Sequence, residues 1–203
     1  MASGLRHLLG VTALVVYGSG LCFWCIIHPW VRFWRRLGPA PTYAIVGAML
    51  AMLGAGIYRF RATLLGRDLG TQPVVMTLGI LLFGACVWLG VRYGMRAEHL
   101  SARTRAGLPE LSPADSPGKL VRGGLYGVVR HPIYASAAAV GIAMALIVNH
   151  IGTYVFFLAA MPMLYGVTLL EERELIDRFG EEYREYRRHV PRFIPRLHRR
   201  RRP

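Results

Sequence analysis

Charge is absent from five stretches of the chain: Leu8–Ile27, Thr42–Tyr58, Pro73–Val91, Pro132–Val148 and Thr153–Leu170. Each is apolar along its whole length rather than on one stripe, and each is close to the length at which a helix crosses a hydrocarbon core. The pattern predicts an all-α integral membrane protein with five transmembrane helices. Asn149-His150-Ile151-Gly152 alone separates the last two stretches, so they are expected to form a helical hairpin. Beyond them, Leu175, Ile176, Phe179, Tyr183 and Tyr186 recur at helical spacing, with Glu174 and Arg178 four apart. That spacing predicts a cytoplasmic amphipathic helix over Glu171–Arg188, lying at the membrane surface.

The organisation follows as a single membrane domain over 1–203. Three N-terminal spans occupy 8–91, a loop 92–131, the hairpin 132–170, and a C-terminal helix with a basic tail 171–203. Leu8–Ile27 exceeds the apolar run of a signal peptide, ends in Phe23-Trp24 and lacks a small-residue cleavage site, so it is read as a retained anchor. Pro109, Pro113 and Pro117, set among Ser, Ala and Gly, make Glu98–Gly118 an extended loop.

Composition sharpens the class. Of 203 residues, 54% are apolar, yet the formal charge is +14, which excludes an ordinary soluble domain. The charge rests on 24 arginines and Lys119. Its aromatic residues sit in apolar segments and do not interleave with arginine on a polar face, so anionic lipid headgroups, not nucleic acid, are the expected counter-charge. Twenty-one of the 25 basic residues fall on one side of the predicted bundle. That asymmetry puts the C-terminus in the cytoplasm and the N-terminus outside, with Arg6, Arg59, Arg61 and Arg67 on the far face. Cys22, Cys25 and Cys86 lie within apolar runs and are expected to be buried thiols, not a redox or disulfide set. No clustered metal-ligand pattern, phosphate loop or nucleophile elbow is present, so no metal is expected.

Candidate chemistry gathers at the ends of the hairpin. Tyr126 and Arg130-His131-Pro132-Ile133-Tyr134 stand where the fourth span begins, and Glu171-Glu172 where the fifth ends. Two helices of 17 or 18 residues each rise about 25 Å, so the second returns the glutamates to the neighbourhood of His131. Ionisable groups converging at a bilayer edge need partners or a ligand there. His28-Pro29 repeats the dipeptide without that context, and His150 in the turn is expected to face water or headgroups.

A longer pattern joins the two clusters. Lys119-Leu120-Val121-x-x-Gly124-x-Tyr126-x-x-Val129-Arg130-His131-Pro132-Ile133-Tyr134 is followed by Glu171-Glu172-x-x-Leu175-x-x-x-Phe179-Gly180-x-x-Tyr183-x-x-Tyr186 and Val190-Pro191-Arg192-x-Ile194-Pro195. In these blocks the chain resembles the isoprenylcysteine carboxyl methyltransferase and phospholipid methyltransferase superfamily, whose small prokaryotic members have five spans. The resemblance implies a membrane methyltransferase dependent on S-adenosyl-L-methionine, with a lipid or isoprenylcysteine-like amphiphile as acceptor. By the same resemblance Gly118, Lys119, Leu120, Val121, Tyr126, His131, Pro132, Ile133, Tyr134 and Glu171 would bind the cofactor. His131, Glu171, Glu172 and Arg130 are the candidates for catalysis. Glu171→Ala and His131→Ala are expected to weaken cofactor binding and His28→Ala to leave it intact.

The chain departs from the family at four positions. Gly118 stands where the carboxyl methyltransferases have histidine, Leu125 where many members have proline, and Ser136 where glycine is frequent. Val167, four before Glu171, stands where isoprenylcysteine enzymes carry an arginine for the substrate carboxylate. Two other readings fit the scaffold: a non-enzymatic helical membrane subunit, and an NADPH-dependent membrane reductase, since sterol reductases resemble this superfamily in their C-terminal helices.

Overall fold

A computed structural model of the protein describes residues 2–94 and 120–196. Within that range the chain is helical. Helix α1 (Ala2–Ile27) continues through a 3-10 turn at His28–Trp30 into α2 (Val31–Leu37), and α3 (Pro39–Arg59), α4 (Arg61–Leu65) and α5 (Pro73–Leu89) follow. A π turn over Gly90–Gly94 ends the first described part. The second begins with a 3-10 turn at Gly124–Gly127 and continues as α6 (Pro132–Val148), α7 (Ile151–Phe179) and α8 (Glu181–His189). Proline takes the first position of α3, α5 and α6. There its missing N–H costs nothing, and its fixed φ suits the helix start.

Four of the described helical stretches are long and apolar enough to cross a membrane: Ser3–Leu37, Pro39–Arg59, Pro73–Arg92 and Ile151–Phe179. Pro132–Val148 is apolar but, at 17 residues, shorter. Pro162 lies inside α7 without ending it, a tolerance that membrane helices show because neighbouring groups re-satisfy the freed carbonyl.

Packing relies on close helix approach. A Cβ on Gly79 of α5 would lie 2.9 Å from the Ala143 carbonyl oxygen of α6, and one on Gly141 would lie 2.5 Å from the Phe157 ring of α7. Such glycines let backbones meet where lipid provides no hydrophobic drive for association. The buried residues form small clusters along α1: Val11 and Leu14 with Leu65, Ala13 with Ala145 and Phe157, and Ile27 with Trp34 and Val46. Helix α1 is thus the common wall against which α3, α6 and α7 pack.

The end of α6 remote from His131 is closed by polar contacts. Asn149 takes a left-handed conformation, φ 54°, and its N–H caps the Ala145 carbonyl. Arg6 donates to both oxygens of Asp68 at 2.8 Å and to the carbonyls of Gly70 and Val148 at 3.1 Å. Burial of Arg6 is tolerable only with this set of acceptors.

Two expectations change here. His150 does not face the surroundings: it is 4% exposed, with Nδ1 3.0 Å from the Val148 carbonyl and 4.0 Å from Asp68. The separate helix expected over Glu171–Arg188 is instead the end of α7 followed by α8. Nothing in Glu171–Phe179 breaks a helix; Gly180, at φ 57°, does.

Candidate functional site

The predicted residues converge because two chain segments return to the start of α6. Residues 190–192 run alongside Arg130 and His131, whose backbone N–H groups donate to the carbonyls of Pro191 (2.8 Å) and Arg192 (3.1 Å). That pairing holds His131 just before the first turn of α6, facing Glu171 and Glu172 of α7.

Glu172 is the centre of the cluster and is 2% exposed. Its Oε1 accepts from Arg130 Nε at 2.9 Å, lies 3.0 Å from His131 Nε2, and accepts from Arg192 Nε at 3.1 Å. Its Oε2 accepts from the second arm of Arg192 at 2.7 Å, with Arg187 at 4.0 Å. One carboxylate therefore meets three arginines and a histidine. Arg130 also donates to the carbonyls of Arg187 and Val190, and Arg192 lies over the Tyr165 ring at 4.9 Å. Charge-assisted bonds of this kind are what make a buried carboxylate affordable.

Glu171, one residue earlier, is placed differently. Its Oε2 lies 3.5 Å from His131 Nδ1. That oxygen is buried and has no hydrogen-bond partner among the described residues. Both ring nitrogens of His131 thus face carboxylates. Burial opposes a charge on the ring, but the hydrogen bond with Glu172 and the fields of both carboxylates outweigh it and raise the pKa above the ordinary histidine value. The imidazolium form is favoured.

Aromatic residues complete the surroundings. The Tyr134 ring meets His131 edge-on at 5.7 Å, and Phe193 lies 6.0 Å away on another side. Tyr126 sits in the 3-10 turn that opens with Gly124 at φ 60°. Its carbonyl accepts from Tyr186 at 2.6 Å, docking α8 beneath the site, and burial raises the Tyr186 pKa to about 12.

Leu120 and Val121 are half-buried, Pro132 is buried, and Ile133 is 55% exposed. Gly118 and Lys119 lie outside the described residues. Arg192 and Arg187 were part of no predicted site. Arg192 stands in the matching motif, yet its role emerges only when the 190–193 segment folds back on α7. Among the described residues, no group of three or more His, Cys, Asp or Glu is arranged to hold a metal ion.

A cavity of about 240 Å³ opens next to Tyr134, between α1, α6 and α7. Tyr17, Gly20, Leu21 and Trp24 line one wall, Ile133, Tyr134 and Ala137 a second, and Phe156, Phe157, Ala160, Met161 and Leu164 a third. No lining residue is charged. Tyr134, whose ring meets His131, is the lining residue that links the cavity to the cluster.

Comparison with known proteins adds a family context. The chain is 29% identical to a methanethiol S-methyltransferase of Pseudomonas deceptionensis over 83% of its own length and 65% of that protein. It is 29% identical to methanethiol S-methyltransferase 2 of Bradyrhizobium diazoefficiens over 85% of its length and 66% of that protein. A third relative, protein-S-isoprenylcysteine O-methyltransferase of Schizosaccharomyces pombe, is 37% identical over 37% of this chain and 33% of its own. The chain spans just under two thirds of the two methanethiol enzymes it matches. No family model matches, and no solved structure does. The two methanethiol enzymes, at 29% identity over most of the chain, and the Schizosaccharomyces pombe enzyme over its shorter match together support the isoprenylcysteine carboxyl methyltransferase-like superfamily.

Proposed function

We propose that the protein is an S-adenosyl-L-methionine-dependent membrane methyltransferase acting on an apolar acceptor that carries no carboxylate, a thiol being the class that fits best. The observation that carries this reading is the buried oxygen of Glu171 that holds no hydrogen bond, 3.5 Å from His131, in a chain whose cavity at Tyr134 has no charged lining. A buried acceptor atom without a donor is costly unless a ligand supplies one.

The residues suit the cofactor. Glu171 can accept from an ammonium or ribose hydroxyl, and Tyr126 and Tyr134 offer aromatic faces to adenine. Leu120, Val121, Pro132 and Ile133 complete the expected binding set, with Gly118 and Lys119. When bound, S-adenosylmethionine supplies a methyl group on a sulfonium that departs as a neutral thioether.

The remaining work falls to the protein. Glu172, saturated by Arg130, Arg192 and His131, fixes the geometry, Glu171 keeps its oxygen for the cofactor, and the acceptor reacts as a thiolate whose proton has left to solvent before transfer. The apolar walls exclude water, so the task is mainly one of proximity and orientation. A carboxylate acceptor would need a cation. Val167 is buried and apolar, and the guanidinium groups of Arg130 and Arg192 are turned to Glu172. The names of the relatives include both a thiol and a prenylcysteine acceptor, and these features favour the former for this chain.

We read Pro132–Val148 as a fifth crossing that pairs with α7 as a hairpin. The arginine-rich end, with His131 and α8, is then cytoplasmic and near anionic headgroups, and the N-terminus lies outside. The test is transfer of tritiated methyl from S-adenosylmethionine in detergent, with alkanethiols and a prenylated cysteine offered in parallel. Labelling of the thiols supports the reading. Labelling of the prenylcysteine carboxylate alone would overturn the choice of acceptor.

A further inference from the structure

His28 and Glu174 are 146 residues apart, and neither belongs to the site described above. The His28 side chain is fully buried, and its Nδ1 lies 2.9 Å from Glu174 Oε1. Glu174 stands one turn beyond Glu171 on the same helix. One turn before His28, the Trp24 ring stacks on the imidazole at 5.3 Å with an interplanar angle of 22°. Trp24 in turn lines the apolar cavity. The contacts form a chain from the helix that carries the glutamates, through a part-buried hydrogen bond, to an aromatic wall of the cavity.

Ordinary packing would not require this arrangement. Burying a histidine against a carboxylate that is itself only 19% exposed costs desolvation that an apolar pair would avoid. The histidine also ends α1 at a 3-10 turn carrying Pro29, so its ring has little freedom to leave. What the pair adds is direction: it fixes the height of α1 against α7 and, through the stack, the orientation of Trp24.

We infer that His28 and Glu174 are positioning residues for the acceptor, holding Trp24 as the wall that sets which apolar acceptor the cavity takes. The inference rests on the reading of the cavity as the acceptor site. Neither residue touches the acceptor, and cofactor binding does not depend on them.

The test uses the full chain in detergent, with 1-hexanethiol as probe and S-adenosylhomocysteine as an independent readout. Hexanethiol affinity is read from tryptophan quenching, with Trp24→Phe identifying the signal of Trp24. Glu174→Ala removes the acceptor from His28, whereas Glu174→Gln keeps a carbonyl oxygen in its place. Hexanethiol affinity is expected to fall about tenfold in Glu174→Ala, the order of one misplaced aromatic contact, and to recover in Glu174→Gln. S-adenosylhomocysteine affinity stays at the wild-type value in both. Equal hexanethiol affinity in all three proteins, or none in wild type, overturns the inference. Equal loss of both ligands in Glu174→Ala also overturns it, since the pair would then be merely structural. A wild type that takes hexanethiol but not S-adenosylhomocysteine would defeat the methyltransferase reading while leaving the positioning role of His28 and Glu174 in place.

Discussion

Adjacent glutamates at the end of the membrane-crossing part of α7 should contribute unequally to stability. Glu172→Gln removes the charge facing Arg130, Arg192 and His131, whose side chains are 9%, 19% and 2% exposed. Removing one partner of such a buried pair costs about 3–5 kcal/mol, because the remaining charges lose their compensation. On the scale of 2–4 °C per kcal/mol for a chain of this size, the unfolding midpoint should fall by about 6–20 °C. Glu171→Ala removes a carboxylate that holds no hydrogen bond through its buried oxygen and meets His131 only at 3.5 Å, so its midpoint should fall by no more than about 4 °C, or about 1 kcal/mol on the same scale. The free thiols Cys22, Cys25 and Cys86 are half-buried in the helices, so a dye that fluoresces on reaction with thiols reports unfolding directly. A loss smaller than about 2 °C in Glu172→Gln, under 1 kcal/mol on that scale, would refute the arginine cage. So would equal destabilisation by both variants.

Three further outcomes follow from the geometry. His131 has a raised pKa, so the stabilisation it contributes as imidazolium should be complete below its unfolded value of about 6.5. It should be lost as pH rises through the higher folded value. The midpoint difference between wild type and His131→Gln, measured across that range, should therefore shrink with rising pH, and a difference that grows would contradict the assignment. Arg6→Met strands Asp68 and two carbonyls at the other end of the bundle, so the midpoint should fall while S-adenosylhomocysteine affinity holds in calorimetry. Gly152→Ala drives a Cβ into the Leu64 carbonyl, whereas Gly166 has open space around it. The first variant should lose folded yield in size-exclusion chromatography, and Gly166→Ala should match wild type or gain up to about 1 kcal/mol from helix propensity.

Much of this architecture was legible before any coordinates. Uncharged runs that open on Pro73 and Pro132 mark where α5 and α6 begin, because both signals are local, whereas α3 begins at Pro39, three residues before the expected Thr42. The return of Glu171 to His131 was legible as well, since helix rise and a short turn dictate it. Where α7 ends was not legible: hydropathy drops at Glu171, but a helix stops only where a residue such as Gly180 takes a positive φ. His150 looks like a turn residue until Arg6 and Asp68, far away in sequence, close over it. Arg192 and the His28–Glu174 pair have the same character. Their roles depend on contacts 20 and 146 residues apart, which no periodicity encodes.

The central claim is that Glu171 reserves a buried oxygen for S-adenosylmethionine. The most direct measurement is calorimetric titration of the detergent-purified protein with S-adenosylhomocysteine, wild type beside Glu171→Ala, with NADPH as a parallel ligand. Saturable binding in wild type, lost in Glu171→Ala while that variant stays folded, is the predicted result. Folded wild-type protein that fails to bind S-adenosylhomocysteine, or that binds NADPH alone, would contradict it.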